Sequence, residues 1–200
     1  KRYDLMHQVN GRGTFLTSQA CIPHLRRSEN PHVLMLSPPL DLSPHWFQGH
    51  VAYSMAKYNM SLCVLGMAEE FRNEGIAFNA LWPRTAIATS AIEFALSGEN
   101  TLRFCRRPEI MADAAHRVLT KPARDFTGQF LIDDSFLFGE GVTDFSSYSV
   151  RAGRDRMRAT LLSWLPDGLE GARLLDAGCG TGALAVEAAR RGADVLAIDL

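Results

Sequence analysis

Three short apolar runs, HVLMLS (32–37), IAFNALWP (76–83) and GQFLIDD (128–134), punctuate the first two thirds of the chain, and stretches of helical periodicity separate them. A strand that is apolar on both faces has to be covered on both, which is the condition of a parallel sheet with helices packed above and below it. The first helix is expected over Tyr3 to Leu25, where Leu5, Val9, Phe15, Leu16 and Ile22 form an apolar stripe that Pro23 brings to an end. A second long helix is expected from Val51 to about Asn73, with Gly75 as its left-handed terminator, and a third from Pro108 to Leu119, stopping before Pro122. Between the first run and the second helix, SPPLDLSPHWFQGH (37–50) reads as a loop. Strands alternating with helices predict an α/β fold, a Rossmann-like doubly wound parallel sheet.

After about Val150 the character changes. RAGRDRMRATLLSWLP (151–166) has the pattern of a basic amphipathic helix, PDGLEG (166–171) that of a turn, and ARLLDAGCGTG opens a new strand–loop–helix unit. Its helix, ALAVEAARRG (183–192), stops at Gly192, and ADVLAIDL (193–200) follows as a second strand. The expectation is two partial domains: residues 1–149, the Rossmann-like sheet, and residues 150–200, the start of a second Rossmann-like βαβ unit. No linker composition and no repeat marks the junction.

The 200 residues carry a net charge of −1 with scattered arginines, so there is no electrostatic case for nucleic acid or an anionic membrane as a partner. Cys21, Cys63, Cys105 and Cys179 lie far apart, with no CxxC and no histidine at zinc spacing; free thiols in a reducing cytoplasm and no metal site are expected. No apolar run reaches the roughly 20 residues of a membrane span.

The first candidate site is YSMAK, which sets Tyr53 and Lys57 four apart on one helix face. A lysine ammonium within about 4 to 6 Å favours a phenolate, so this pairing is expected to lower the tyrosine pKa and give a general acid or base. Ser37, ending the strand before the helix, is placed to hydrogen-bond a substrate oxygen. Through KRYDLMHQVNGRGTFLTSQACIPHL, LSPPL, AYSMAKYNMSLCVLGMAEEF, NALWPRTAIATSAI and FTGQFLIDD, residues 1–149 resemble the C-terminal portion of a short-chain dehydrogenase/reductase, more narrowly the hydroxysteroid dehydrogenase-like protein 2 group. The resemblance implies Tyr53 as catalytic acid/base and Lys57 as the residue holding the nicotinamide ribose. It implies Asn10 as support for a proton-relay water, and Pro83 to Thr89, with Ile87, as contacts of the nicotinamide end of NAD(P). It also implies a small-molecule substrate of fatty or steroid-like kind, and is compatible with a homo-oligomer. Two features depart from the superfamily: Ser37 lies sixteen positions before the tyrosine rather than about thirteen, and Arg84 stands where a glycine usually follows the proline. The family's TGxxxGxG loop would precede Lys1.

The second candidate site is DAGCGTG. Gly178, Gly180 and Gly182 allow a tight turn into a helix N-terminus, where backbone N–H groups can meet an anionic or ribose group. Asp199, ending the next strand, is placed to accept ribose hydroxyls. The GxGxG spacing behind Asp176 resembles motif I of class I S-adenosylmethionine-dependent methyltransferases, and RDRMRATLLSWLPDGLEG is similar to the segment before that motif in magnesium-protoporphyrin IX methyltransferase. This implies that Asp176 and the loop to Gly182 hold the methionine part of S-adenosylmethionine and that Asp199 holds its ribose.

Three readings follow: a truncated dehydrogenase joined to a methyltransferase start, expected to fold poorly alone because HVLMLS would lack a strand neighbour; a rearranged dehydrogenase whose C-terminal loop serves the Tyr53 site; and a folded remnant that binds without turnover.

Overall fold

The computed structural model describes residues 1–90, 92, 105–150, 170, 173–177 and 194–198. They fall into two compact units, residues 1–83 with 110–137, and residues 84–109 with 138–200.

The first unit is built on a three-stranded parallel sheet in the order β1-β2-β3: β1 (His32–Met35), β2 (Ala77–Trp82) and β3 (Phe130–Ile132). Register runs His32↔Ala77 to Met35↔Ala80 on one side of β2 and Ala80↔Phe130 to Trp82↔Ile132 on the other. β2 is the central strand, buried from Ala77 through Leu81, as an apolar run with no alternation requires. Its one polar residue, Asn79, is fully buried and hydrogen-bonded through both its amide nitrogen and its oxygen. Its side-chain N–H donates to the Phe126 carbonyl at 2.8 Å and its side-chain oxygen accepts the Gln129 N–H at 2.9 Å, so the amide stitches β2 to the approach of β3.

A long helix, α3 (Val51–Glu70), covers the sheet with Ser54, Ala56, Ser61, Val64, Met67 and Ala68. Val64, Met67 and Ala68 join Ile22, Met35, Ile76, Phe78 and Ala80 in one core cluster. Burying each large side chain of this kind contributes about 1.5–3 kcal/mol. A 3₁₀ turn over Arg72–Glu74 follows, and Gly75, at φ 73°, closes it in the left-handed conformation expected of it. A shorter helix, α4 (Glu109–Leu119), buries Ile110, Ala114 and Val118, one residue per turn. The predicted third strand is shorter than GQFLIDD. The Asp133 carboxylate accepts the N–H of Asp134 at 2.8 Å, and the chain turns there into α5 (Asp133–Gly139).

The first helix departs most from expectation. It runs as α1 (Arg2–His7), a π-helical turn (Gln8–Arg12) and α2 (Gly13–Leu25), and Pro23 lies inside α2 instead of ending it. Only two helical residues follow the proline, so its missing N–H removes one bond near the helix end, where the Arg26 N–H still reaches the Ile22 carbonyl at 3.0 Å. The apolar stripe does not face the core either. Ile22 is buried, but Leu5 and Val9 are 62% and 65% exposed, and Phe15 and Leu16 also face outward. Besides Ile22 the buried residues here are small, Gly11 and Ser18, and at Gly11 the turn lies too close to Asn59 of α3 to admit a side chain.

In the second unit, Ile87 bridges Arg106 in parallel and Arg106 bridges Ser149 in antiparallel fashion, with the Arg107 N–H donating to the Tyr148 carbonyl at 2.7 Å. β4 (Arg173–Ala177) and β5 (Asp194–Ile198) form a parallel pair in register from Arg173↔Asp194 to Ala177↔Ile198. The helices expected over 151–166 and 183–192 lie outside the described residues. Among the described residues no helix is long and apolar enough to cross a membrane.

Candidate functional site

Ligands of open parallel sheets bind beyond the carboxyl ends of the strands, and Lys57 reaches the chain beside Ser37 there. Past Met35, where β1 ends, the chain runs through an exposed Leu36 to Ser37, which is fully buried and whose hydroxyl has no hydrogen-bond partner. A buried hydroxyl without a partner costs stability unless something is to occupy its lone pairs.

Tyr53 and Lys57 lie on α3, one turn apart. The Lys57 ammonium donates to the carbonyl of Leu36 at 3.2 Å and lies 3.8 Å from the Met60 sulfur and 5.6 Å from the centroid of the Trp82 ring. It is thus anchored to the strand end that carries Ser37. Burial pushes its pKa down. Tyr53 is half exposed, and burial pushes its phenol up. The expected lowering of the tyrosine pKa by the lysine is therefore absent from this arrangement. The ammonium is turned toward Leu36, Met60 and Trp82, and on the phenol desolvation acts without an opposing charge.

Asn10 sits within the π-helical turn, its side-chain N–H donating to the Met6 carbonyl at 2.9 Å. Such a turn holds one residue more than an α-helical turn and is frequent at functional sites. No direct hydrogen bond joins the side chains of Asn10, Ser37, Tyr53 and Lys57 to one another.

The loop from Pro38 to Trp46, which opens this end of the sheet, is fastened along α3 by three side chains at helical spacing. Ser61 donates to the Pro38 carbonyl at 2.7 Å, Tyr58 donates to the Asp41 carbonyl, and Ser54 donates to the Trp46 carbonyl at 2.7 Å. Inside the loop the Asp41 carboxylate accepts the Ser43 hydroxyl at 2.5 Å, the Ser43 N–H at 2.9 Å and the Trp46 indole N–H at 2.8 Å. These bonds, the Ser43 hydroxyl foremost, hold the Asp41 carboxyl down to about 2. Asp41, Tyr58 and Trp82 escaped the sequence reading. The Asp-x-Ser spacing of an Asx turn was the available signal for the first.

Pro83 follows β2 and is half-buried; in the second unit Ile87 is half-buried in its bridge to Arg106, and Thr89 is exposed. Asp176 lies in β4, opposite Ala197. Gly178, Gly180, Gly182 and Asp199 lie outside the described residues. A cavity of about 310 Å³ in the first unit lies at the other, amino-terminal ends of the strands, lined by Arg26, Asn30, Gly75 and Arg124, and is not part of this site.

Comparison with known proteins bears on both units. Residues 139–200 match the family described as "Conserved hypothetical protein 95". The chain is 53% identical over 169 residues to hydroxysteroid dehydrogenase-like protein 2 of Danio rerio, a match that covers 84% of this chain. It spans only 40% of that relative's length. Among solved structures, a provisional dehydrogenase from Xanthomonas campestris is 57% identical with a TM-score of 0.70, over 76% of this chain and 56% of that one. A short chain dehydrogenase from Mycobacterium thermoresistibile is 49% identical, also with a TM-score of 0.70, over 76% of this chain and 54% of that one. Over three quarters of its length the chain is thus similar, in sequence and in Rossmann-like α/β fold, to short-chain dehydrogenases, of which it spans little more than half.

Proposed function

We propose that the first unit is the catalytic part of an NAD(P)-dependent oxidoreductase acting between a carbonyl and a secondary alcohol. The observation that carries this reading is the Lys57 ammonium fastened at 3.2 Å to the carbonyl of Leu36, beside the unpartnered hydroxyl of Ser37 and one turn from the half-exposed phenol of Tyr53. The donor set fits the nicotinamide end of a dinucleotide: a cation for ribose hydroxyls, a phenol, and a hydroxyl with free lone pairs. When bound, the dinucleotide supplies or accepts the hydride. Tyr53 exchanges the proton of the substrate oxygen, Ser37 orients that oxygen, Lys57 holds the ribose, and Asn10 supports a water that restores the proton. Pro83, Ile87 and Thr89 contribute nicotinamide contacts. A fatty or steroid-like substrate is in keeping with the hydroxysteroid dehydrogenase-like relatives.

The test is oxidation of NADH and NADPH by the full chain over a panel of apolar ketones. Activity that falls by roughly 10²–10⁴ in Tyr53→Phe supports the reading. Equal rates in wild type and variant sink it, and leave the chain a binding remnant.

For residues 150–200 a second reading has its own support, the parallel register of β4 and β5, which a βαβ nucleotide unit requires. In it, Asp176, Gly178, Gly180, Gly182 and Asp199 hold S-adenosylmethionine, and the chain is a dehydrogenase part joined near residue 150 to a methyltransferase start. Calorimetric titration of the full chain separates the alternatives. S-adenosylmethionine binding abolished by Gly180→Val supports this reading, whereas NADPH binding abolished by the same change makes the loop part of the Tyr53 site.

A further inference from the structure

Lys57 is a half-buried cation without a counterion among the described residues. No carboxylate of the described residues forms a salt bridge with it, and its contacts are the Leu36 carbonyl, the Met60 sulfur and the face of Trp82. Burying a charge without an anion is costly unless dipoles or a π face replace the lost water. The carbonyl at 3.2 Å supplies one dipole, and the Trp82 ring, 5.6 Å from the ammonium at its centroid, lies within the range of a cation–π contact. Trp82 is suited to the task by where it stands. It is the last residue of β2, paired with Ile132 of β3 across the sheet, half-buried, and followed by Pro83, which fixes the backbone there. It is therefore rigid where Lys57, with four rotatable bonds, is not.

We infer that Trp82 is a positioning residue for Lys57. Its ring face holds the ammonium between the ends of β1 and β2, so that the charge is placed before any ligand arrives. The inference rests on the oxidoreductase reading for its catalytic consequence, but not for the contact itself. Tyr53 is the titratable neighbour on the face of α3 that carries Lys57, and among the described residues no carboxylate pairs with the ammonium in competition with the ring. An aliphatic side chain in place of Trp82 would leave Lys57 tethered by the carbonyl alone and free to swing toward solvent.

The experiment uses the full chain, whose three lysines are Lys1, Lys57 and Lys121, reductively methylated with ¹³C-formaldehyde. The Lys57 resonance, assigned with Lys57→Arg, is expected upfield of that of Lys1 because it lies over an indole. It should move to the Lys1 position in Trp82→Leu and stay shifted in Trp82→Phe. In turnover with NADPH, Trp82→Leu should lose roughly 2- to 5-fold, as expected for one partly exposed cation–π contact, with Trp82→Phe restoring most of it. Where Trp82→Leu fails to fold, Lys57→Met reads the same contact from the other side. In a Trp46→Phe, Trp164→Phe background, the emission of Trp82 should change when the ammonium is removed. A Lys57 resonance that coincides with that of Lys1 in wild type, or a Trp82 emission indifferent to Lys57→Met, overturns the inference. The ring shift decides the placement whether or not the chain turns over, so absence of NAD(P)H oxidation would count against the oxidoreductase reading alone.

Discussion

Gly11 and Asn59 touch where the π-helical turn crosses α3, and a β-carbon added to Gly11 would stand 2.9 Å from the β-carbon of Asn59. The obstacle is the root of a side chain and cannot swing aside. Gly11→Ala should therefore push the first helix off α3 and lower stability by about 1–3 kcal/mol, the usual cost of overpacking, seen as a fall in the urea midpoint. Because Asn10 is the neighbouring residue, the same variant should lose more activity than its stability loss explains. An unchanged midpoint would mean that the crossing accommodates a methyl group.

The amide of Asn79 is the polar rivet of the sheet. Asn79→Leu leaves the Phe126 carbonyl and the Gln129 N–H without partners, and each orphaned buried group costs about 1–3 kcal/mol. The urea midpoint should drop by more in Asn79→Leu than in a Thr127→Val control, which removes one acceptor, that of the Phe78 N–H.

Lys57 illustrates a conflict between function and stability. Burial lowers its pKa, so below the lowered value both folded and unfolded chains carry the proton and the full cost of burying the charge is present. As pH rises between that value and the ordinary lysine value, the unfolded chain alone keeps the proton, and the cost is relieved. Tyr53, raised by burial, acts oppositely: above its ordinary value the unfolded chain ionises first and stability falls. Lys57→Met is expected to melt higher than wild type at about pH 7, with the difference shrinking toward about pH 10, while turnover is lost. Thermal unfolding of both proteins across this range checks the sign.

Asp41 holds its loop as a carboxylate. Its stabilising bonds are present above the ordinary aspartate range and are lost as pH falls through about 2. Asp41→Ala should release the Trp46 indole at neutral pH, red-shift its emission and expose residues 42–46 to proteolysis, without altering the core that Val64 and Phe78 share.

The parallel sheet and the helices over 51–70 and 109–119 were legible because apolar runs and period-3.6 patterns are what burial imposes. The first helix was misread for a physical reason. Leu5, Val9, Phe15 and Leu16 make the more apolar face, yet the close approach of α3 at Asn59 selects Gly11, whose smallness carries no hydrophobic signal. Lys57, Tyr53 and Ser37 could be picked out by spacing and position. Trp82 could not, because in sequence it is one more apolar residue of a buried run, and its facing Lys57 depends on how α3 lies over the strand ends. The pKa relation of Tyr53 and Lys57 was equally invisible: spacing places two groups on one face but does not say which way a flexible amine turns.

The Pro38–Trp46 loop is tied to α3 entirely through its own backbone carbonyls. Ser54, Tyr58 and Ser61 recognise the course of the chain and not the side chains it bears, so the residues at the tip, Leu42 and His45, are free to drift while the path persists. Such a segment is raw material for divergence. Descendants of one scaffold could acquire new preferences by rewriting a few letters there, at little hazard to the fold that carries them.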